Sequence, residues 1–312
     1  MPLSWLFSTA ARWRRARIIP QRLPVPVVVI GGITVGGAGK TPLALYLVDA
    51  LRQRGYVPGI VSRGYGGSAS GVVEVMPDSS PDQVGDEPLL LRRRADCPVV
   101  IGIDRVAAGR ALLAAHPDVN LILCDDGMQH YRLARDIEIA VLDRRGLGNG
   151  HTMPAGPLRE PPLRLREVDA LVLNDVALDT LALPVMPPAI FSMHLQGDEF
   201  HALNDNTKCV SADMFEHKRL HAIAGIGEPQ RFFDHLSALG LSFTPHAFPD
   251  HHAYTTEELA FGDTILTTEK DAVKLRSLPA MTQEIWVLPV TAVVSEGLDQ
   301  LIVEKLHGRA PA

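Results

Sequence analysis

GGITVGGAGKTP, residues 31–42, is the segment of this chain that says most about its architecture. It follows the β-branched run VPVVVI (25–30) and leads into TPLALYLVDALRQRG (41–55), whose apolar residues recur at helical spacing. Glycines in a strand-to-helix turn allow backbone N–H groups to converge on phosphate, and the helix N-terminus attracts the same negative charge. The segment therefore predicts a phosphate-binding P-loop.

The match to the P-loop consensus G-x-x-x-x-G-K-[ST] fails only at its first position, where Thr34 stands in place of glycine. We expect Lys40 to reach the β and γ oxygens of a nucleotide and the Thr41 hydroxyl to ligate Mg²⁺. A glycine-rich turn with an accidental Lys-Thr is the alternative, and the strand and helix on either side disfavour it. The residues expected to bind the nucleotide are Thr34, Val35, Gly36, Gly37, Ala38, Gly39, Lys40 and Thr41.

A second buried run ends in two adjacent carboxylates. In NLILCDDGMQH (120–130), Asp125 and Asp126 directly follow the apolar residues, and Gln129 lies on the same loop. Open α/β sheets bind ligands beyond the carboxyl ends of their strands, where P-loop proteins place the aspartate that holds Mg²⁺. We expect one of the two aspartates to face Mg²⁺, directly or through water, and the sequence does not distinguish them.

Short apolar runs alternate with helical stretches over the first part of the chain. This alternation predicts an α/β fold, a P-loop NTPase-like domain with a mostly parallel sheet wrapped by helices. Residues 196–218 are polar and irregular, and alternation then resumes, which predicts a second, smaller α/β domain. The runs are VPVVVI (25–30), VPGIVS (57–62), PVVIG (98–102), VNLILC (119–124), IEIAVL (137–142) and DALVLN (169–174).

We therefore divide the chain into three segments. Residues 1–18 form an amphipathic helix, residues 19–205 the P-loop domain and residues 206–312 the smaller domain. The last helix, at about 297–308, is free in this scheme to pack back on the P-loop domain.

Composition excludes several classes of protein. The chain has 312 residues, of which 46% are hydrophobic and 21% charged, with a net charge of −6. This is a globular composition without the basicity of a nucleic-acid binder. No apolar stretch has the length of a membrane-spanning helix. The three cysteines are widely spaced and include no C-x-x-C pair, which fits a reducing, cytoplasmic setting.

The N-terminal segment MPLSWLFSTAARWRRARI (1–18) combines aromatic, apolar and cationic side chains. Such a combination suits the surface of an anionic bilayer. Its arginines follow the apolar residues, the reverse of the order in a secretory signal. We expect it to dock on a membrane surface, and a terminal helix that packs on its own domain is the alternative.

A guanine-specific protein would carry an [NT]-K-x-D motif. TTEKD (267–271) is superficially similar, but Glu269 occupies the lysine position. ATP is therefore the expected nucleotide. The competing interpretation of the P-loop is an ATPase or GTPase switch that acts in assembly at a membrane and hydrolyses nucleotide without an acceptor.

A succession of motifs, in the same order, resembles the tetraacyldisaccharide 4′-kinase family, the lipid A kinases of Gram-negative bacteria. The resemblance implies transfer of the ATP γ-phosphate to the 4′-hydroxyl of an acylated glucosamine disaccharide 1-phosphate, giving lipid IVA. It places the protein peripherally or monotopically on the cytoplasmic face of the inner membrane, and no protein partner is inferred. The motifs are TVGGAGKTP (34–42), SRGYGG (62–67), GDEP (85–88), DDGMQH (125–130), PAGPLRE (154–160), AGIGEPQRFF (224–233), FPDHHAY (248–254) and LTTEKDAVK (266–274).

The resemblance also implies roles for individual residues. Asp86 in GDEP matches the family's catalytic carboxylate, and His251 in FPDHH matches the histidine paired with it. A carboxylate can orient a sugar hydroxyl and accept its proton. Arg159, with Lys40, would neutralise transition-state charge, and Glu160 would lie near the metal with Gln129.

Overall fold

The computed structural model of the chain describes residues 4, 9, 11, 13, 15–279 and 281–307. The described residues form a nine-stranded sheet and a six-stranded sheet. We call each sheet with its helices a unit, the first unit and the second unit respectively. The family of folds predicted from the alternating runs, α/β with a mostly parallel sheet, is confirmed.

The strands, in chain order, are β1 (Val27–Gly31), β2 (Pro58–Ser62), β3 (Val73–Glu74), β4 (Val99–Ile101), β5 (Leu121–Cys124), β6 (Ile137–Asp143), β7 (Ala170–Asn174), β8 (Ile190–Gln196), β9 (Glu199–Ala202), β10 (Asp205–Ser211), β11 (Leu220–Ala224), β12 (Thr244–Ala247), β13 (Thr264–Thr268), β14 (Ile285–Leu288) and β15 (Thr291–Val294). The helices are α1 (Lys40–Gln53), α2 (Pro81–Val84), α3 (Asp86–Ala95), α4 (Arg105–Ala115), α5 (Pro229–Ala238), α6 (Glu269–Leu275) and α7 (Leu298–His307).

The first sheet has the order β15-β8-β7-β6-β1-β5-β2-β4-β3. Its pairs from β4 to β8 are parallel, and the antiparallel strands β3 and β15 close the two edges. Every apolar run predicted for this domain forms one of these strands. Strand β1 lies between β5 and β6, so the loops that follow β1 and β5 emerge side by side at the same edge of the sheet.

The second sheet has the order β10-β9-β14-β13-β11-β12. Strands β11 to β14 are parallel, and β9 and β10 form an antiparallel pair at one edge. The polar and irregular stretch 196–218, expected to be the passage to a second unit, thus contains the strands β9 and β10. Strand β10 is almost wholly exposed, and an exposed edge strand has little reason to carry the apolar alternation that would identify it.

No single position in the chain separates the residues of the first sheet from those of the second. Strand β9 already belongs to the second sheet, whereas β15 and α7, at the end of the described chain, return to the first unit. The predicted boundary at 205/206 therefore falls inside the β9–β10 hairpin. The division into separate domains stays a prediction.

Helix α1 carries the P-loop at its N-terminus and packs along one face of the first sheet. Its residues Leu43, Leu47 and Leu51 recur every four positions, so they form one apolar stripe, and each is fully buried. Leu298 and Ile302 of α7 belong to the same core cluster. The helix that orients the P-loop is thus held between the sheet and the C-terminal helix.

The N-terminal segment is described in part. Ser4, Thr9, Ala11, Trp13 and residues 15–17 are helical, whereas the apolar residues Leu3, Leu6, Phe7 and Ala10 lie outside the described residues. Arg15 pairs with Glu167 and lies 4.5 Å above the Tyr131 ring. Within the described residues, none of the helices combines the length and apolarity needed to cross a bilayer.

We expect Leu47→Ala to lower the free energy of unfolding by about 2–5 kcal/mol, since it leaves a cavity under the P-loop helix. Gln53→Ala, on the exposed end of the same helix, is the matched control and should change it by less than about 0.5 kcal/mol. Urea denaturation measures both. Equal effects of the two substitutions would contradict the packing described for α1.

Candidate active site

The P-loop between β1 and α1 depends on two glycines with left-handed backbone. Gly36 has φ 91° and Gly39 has φ 94°, a region that side chains rarely adopt. A Cβ on Gly39 would lie 2.2 Å from Nδ2 of Asn174, and one on Gly36 would lie 2.8 Å from Nη1 of Arg145. Asn174 also donates to the Ala38 carbonyl at 2.9 Å. Side chains at the ends of β6 and β7 therefore contact the P-loop and limit the space available to its backbone.

Thr34, the irregular position of the motif, lies where glycine is not needed. It forms an antiparallel bridge with Leu158, and its φ is not among the positive values that require glycine. Val35 N donates to Pro157 O at 2.9 Å, and Arg159 N donates to Ile33 O at 2.6 Å. Backbone hydrogen bonds thus pair the proline-rich segment 153–164 with the start of the P-loop. This pairing places Arg159 beside the P-loop.

Asp126 forms ion pairs with two cationic side chains. Lys40 Nζ lies 3.2 Å from Asp126 Oδ1, and Arg159 Nη1 donates to both of its carboxylate oxygens at 2.9 and 3.0 Å. Burial opposes ionisation, but Lys40 and Arg159 together hold the pKa of Asp126 below its ordinary value. The structure therefore brings three predicted site residues, Lys40, Asp126 and Arg159, into direct contact.

Asp125 has the opposite environment. Its exposed fraction is 1%, and its Oδ1 is buried without a hydrogen-bond partner among the described residues. Burial, reinforced by Glu87 and Asp126, raises the pKa of Asp125 to about 7. A buried and unsatisfied carboxylate oxygen beside a P-loop is the feature expected of a cation ligand.

Gln129 and Glu160 are already engaged by protein groups. The Gln129 amide donates to Gly32 O at 3.0 Å and to Glu160 Oε1 at 2.8 Å, while its oxygen accepts from Arg159 at 3.3 Å. The other Glu160 oxygen accepts from the Tyr131 hydroxyl. Burial, with Glu160, raises the pKa of Tyr131 to about 12, so the phenol remains a donor. These residues form a network of hydrogen bonds that includes Arg159.

The donor set fits Mg²⁺ better than a metal held by the protein alone. No group of three or more His, Cys, Asp or Glu side chains able to hold a metal ion is found among the described residues. Mg²⁺ is commonly bound through one or two carboxylates together with waters and substrate phosphates. Asp125 and Asp126, with the hydroxyl of Thr41 at the start of α1, are sufficient for such a site.

Asp86 and His251 meet across the two units. Asp86 is the first residue of α3 and is 4% exposed. Its two oxygens lie 3.0 Å from Nδ1 of His251, which follows β12 in the second unit and has φ 61°. The Asp86 carboxylate raises the pKa of His251. The pair inferred from the family resemblance is thus present as a direct contact.

Two lysines of α6 surround this pair. Lys274 Nζ lies 3.5 Å from Asp86 Oδ2, and Lys270 Nζ lies 2.9 Å from Glu87 and 3.0 Å from Asp250. Burial alone would raise the pKa of Asp86, but His251, Lys270 and Lys274 hold it below its ordinary value. The carboxylate is therefore ionised at neutral pH and can accept a proton.

The second unit also touches the P-loop. A Cβ on Gly227, in the loop after β11, would lie 3.0 Å from the backbone N of Gly37. Arg144 pairs with Glu228 at 2.7 Å, and Arg231 pairs with Asp175. The phosphate cradle is consequently covered from the side of the second unit.

Sequence reasoning missed Asn174, Arg145 and Lys270. Asn174 is the last residue of β7 and Arg145 follows β6, so both lie at the ligand-binding edge of the sheet, and that position was an available signal. Lys270 had none, because its neighbours Glu87 and Asp250 are far away in sequence. Within the TTEKD segment, Asp271 makes structural contacts: it accepts from Gly225 N at 3.1 Å and from Tyr254 OH at 2.9 Å.

A nucleotide switch has no evident use for a buried carboxylate that is ion-paired to a histidine from another sheet beside the phosphate cradle. A kinase does, because the hydroxyl that attacks the γ-phosphate must be oriented and deprotonated. The fold and the site therefore define the class as a P-loop kinase.

The chain belongs to the tetraacyldisaccharide-1-P 4′-kinase family, whose model matches residues 1–307. It is 52% identical over 315 residues to the tetraacyldisaccharide 4′-kinase of Dechloromonas aromatica, covering 100% of this chain and 93% of that protein. It is 51% identical over 322 residues to that of Chromobacterium violaceum, covering 99% and 94%. A crystal structure of LpxK from Aquifex aeolicus in complex with ATP superposes with a TM-score of 0.82 at 29% identity, covering 98% of both chains.

We expect Asp125 to make the free energy of unfolding depend on pH. Its raised pKa of about 7 means that the folded state keeps a proton which the unfolded state loses near pH ~3.9. Its contribution to stability should therefore fall as pH rises from about 4 to about 7 and then level off. The difference in unfolding free energy between the wild type and Asp125→Asn should follow this course.

Added Mg²⁺ should stabilise the wild type above pH ~7, because a cation compensates the ionised Asp125 carboxylate. Asp125→Asn should lose most of that stabilisation, whereas Asp118→Asn, at an exposed loop position, should retain it. Thermal unfolding at several pH values, with and without Mg²⁺, measures both effects. If the difference in unfolding free energy between the wild type and Asp125→Asn did not change with pH, the buried and uncompensated environment described for Asp125 would be contradicted.

Proposed function

We propose that this chain transfers the γ-phosphate of ATP to the 4′-hydroxyl of a tetraacylated glucosamine disaccharide 1-phosphate, forming lipid IVA in lipid A biosynthesis. The observation that carries the proposal is the Asp86–His251 contact in a chain that also has a P-loop. The names of the relatives, tetraacyldisaccharide 4′-kinases, supply the acceptor. The ATP in the Aquifex aeolicus structure supports the choice of nucleotide.

The nucleotide would be held by residues 34–41. The backbone N–H groups around Gly36, Gly37 and Gly39 face the phosphates, and the N-terminus of α1 adds a favourable dipole. In the described structure Lys40 is drawn to Asp126 at 3.2 Å. We infer that Lys40 turns from Asp126 to the β and γ oxygens when nucleotide binds, since phosphate is the more highly charged partner.

Mg²⁺ would be held by Thr41, Asp125 and Asp126, and when bound it would neutralise charge on the β- and γ-phosphates. Gln129 and Glu160 were predicted as further metal residues. Their hydrogen bonds to Gly32 and to Tyr131 favour a supporting role, in which they orient the neighbouring groups and not the ion itself. The direct metal ligand among the two aspartates is best assigned to Asp125, whose free oxygen needs a partner.

The acceptor hydroxyl would be activated by Asp86. As the sugar oxygen forms its bond to the γ-phosphorus, the bond from that phosphorus to the bridging oxygen breaks and ADP leaves. The hydroxyl proton passes to the ionised Asp86 carboxylate. His251 holds this carboxylate through Nδ1, at 3.0 Å, and Arg159, near Asp126 and Lys40, would stabilise the charge that develops on the transferred group.

We place this reaction at the cytoplasmic face of the bacterial inner membrane. The acceptor is a lipid, and the first residues of the chain combine apolar groups with a cluster of arginines. The contacts of Arg15 with Glu167 and Tyr131 equally fit a helix that packs on its own unit. Loss of co-sedimentation with anionic vesicles on deletion of residues 1–18 supports membrane docking, and unchanged sedimentation contradicts it.

Incubation with ATP, Mg²⁺ and the tetraacyldisaccharide 1-phosphate tests the function. We expect a lipid product heavier by one phosphate, detected by mass spectrometry, with ADP formed in equal amount. The competing ATPase or GTPase switch predicts nucleotide hydrolysis without phosphorylated lipid. That result would overturn the proposal.

We expect Asp86→Ala to lower kcat by about 100-fold to 10,000-fold, the range for loss of a general base. Lys40→Ala should lower kcat/KM by at least about 100-fold, because it removes a charge from the transition state. His251→Ala should cost less than Asp86→Ala. Steady-state kinetics with the lipid acceptor measure these changes.

The control for these variants is Asp118→Ala, an exposed carboxylate of the first unit, which should keep wild-type turnover. Near-normal turnover of Asp86→Ala would show that Asp86 is not the proton acceptor, even if the chain phosphorylates the lipid.

A further inference from the structure

The imidazole of His251 is held between opposite charges from two different units. Its Nδ1 lies 3.0 Å from both oxygens of Asp86, and its Nε2 lies 3.4 Å from Nζ of Lys270. Asp86 begins α3 of the first unit, whereas Lys270 belongs to α6 of the second. The ring therefore has a carboxylate on one nitrogen and an amine on the other.

Lys270 is protonated in this position. Its Nζ contacts Glu87 at 2.9 Å and Asp250 at 3.0 Å. Burial opposes the charge, but Glu87, Asp86 and Asp250 outweigh it and raise the pKa of Lys270. An ammonium group has three N–H donors and no lone pair, so towards His251 it can only donate.

We infer that Lys270 is a positioning residue that fixes neutral His251 as the Nδ1–H tautomer and opposes protonation at Nε2. A neutral imidazole has one N–H and one lone pair. The opposite tautomer would direct Nε2–H at the ammonium and the Nδ1 lone pair at the carboxylate, two repulsive contacts. The inference rests on the proposed function, because its purpose is to keep the Asp86 carboxylate oriented by an Nδ1–H donor.

Among the other charged groups around the ring, Asp250 opposes Lys270 at Nε2, because it raises the pKa of His251, but its effect is smaller than that of Lys270. Oδ2 of Asp250 lies 3.7 Å from Nε2, which is beyond hydrogen-bond distance, and its Oδ1 is taken by Lys270. Lys274 approaches the pair from the carboxylate side, 3.5 Å from Asp86 Oδ2. Tyr65 contributes a ring at 5.1 Å. Lys270 is thus the nearest charge to Nε2.

The role of Lys270 is distinct from that of a simple ion pair between the units. The Asp86 hydrogen bond raises the pKa of His251, and the charge of Lys270 lowers it. Removal of the Lys270 charge should therefore raise the pKa of His251 and increase the cationic fraction at neutral pH. A cationic ring would compete with the acceptor hydroxyl for the Asp86 charge and weaken Asp86 as a base.

The experiment is an NMR titration of the full chain with ¹⁵N-labelled histidine, assigned by comparison with His251→Gln. Above the pKa of His251, the wild type should show a protonated Nδ1 and an unprotonated Nε2. Lys270→Met should raise the His251 pKa, and Lys270→Arg, which keeps the charge, should restore it. Lys274→Met is the matched control, since it removes the same charge one turn along α6 on the Asp86 side, and should change the His251 pKa less.

Three results would overturn the inference. They are an Nε2–H tautomer in the wild type, an unchanged or lowered His251 pKa in Lys270→Met, and an equal rise in Lys274→Met. A purely structural Lys270 would give lower thermal stability with an unchanged His251 titration. If Lys270→Met does not fold, Lys270→Gln, a neutral donor of similar length, supplies the same comparison.

The titration needs no substrate, so it separates this inference from the proposed function. A chain that shows the expected tautomer and pKa changes but does not phosphorylate the lipid would refute the kinase proposal alone. A chain that phosphorylates the lipid while His251 titrates independently of Lys270 would refute the inference alone.

Discussion

The buried contact between Asp86 and His251 joins two units that are otherwise built around separate sheets. A carboxylate with 4% of its surface exposed must be paired, because removal of one partner of a buried ion pair costs about 3–5 kcal/mol. Here the partner comes from a loop of the second unit. The pairing therefore helps to hold the second unit against the first at the N-terminus of α3, together with the other ion pairs between the units.

The phosphate cradle is formed by a similar constraint in the first unit. Two glycines with left-handed backbone wrap the loop around a space that Asn174 and Arg145 limit from below. The neighbouring strand delivers Asp125 and Asp126 beside it. Of these two carboxylates, one is neutralised by Lys40 and Arg159, and the other has a buried oxygen without a hydrogen-bond partner in the described part of the chain. The same edge of the sheet thus provides an ion-pair partner for Lys40 and a buried carboxylate oxygen that can bind a cation.

Local sequence predicted the parts of the fold that depend on local chemistry. Six of the nine strands of the first sheet, β1, β2 and β4 to β7, and the P-loop follow from apolar runs and glycines, so they were found from the sequence. The β9–β10 hairpin was missed because β10 is exposed, and an exposed strand is under weak selection for apolar alternation. The return of β15 to the first sheet was missed because strand pairing between distant segments leaves no local pattern.

The same distinction applies to the site. Lys40, Asp125 and Asp126 lie in motifs whose chemistry is readable from spacing alone. Asp86 and His251 were assigned from the family resemblance, and the structure brings them into contact. Lys270 could not be found, since its interaction with His251 and Glu87 exists only after the two units have met. A residue such as Lys270, whose contacts are all tertiary, thus has no signal in the local sequence.

The central claim is that His251 acts through Asp86. A double-mutant cycle on kcat tests it most directly, with His251→Ala measured in the wild type and in an Asp86→Asn background. If His251 acts through Asp86, His251→Ala lowers kcat in the wild type and has almost no further effect when Asp86 is already Asn. An equal fold-reduction in both backgrounds would mean that the two residues act independently, and would contradict the account.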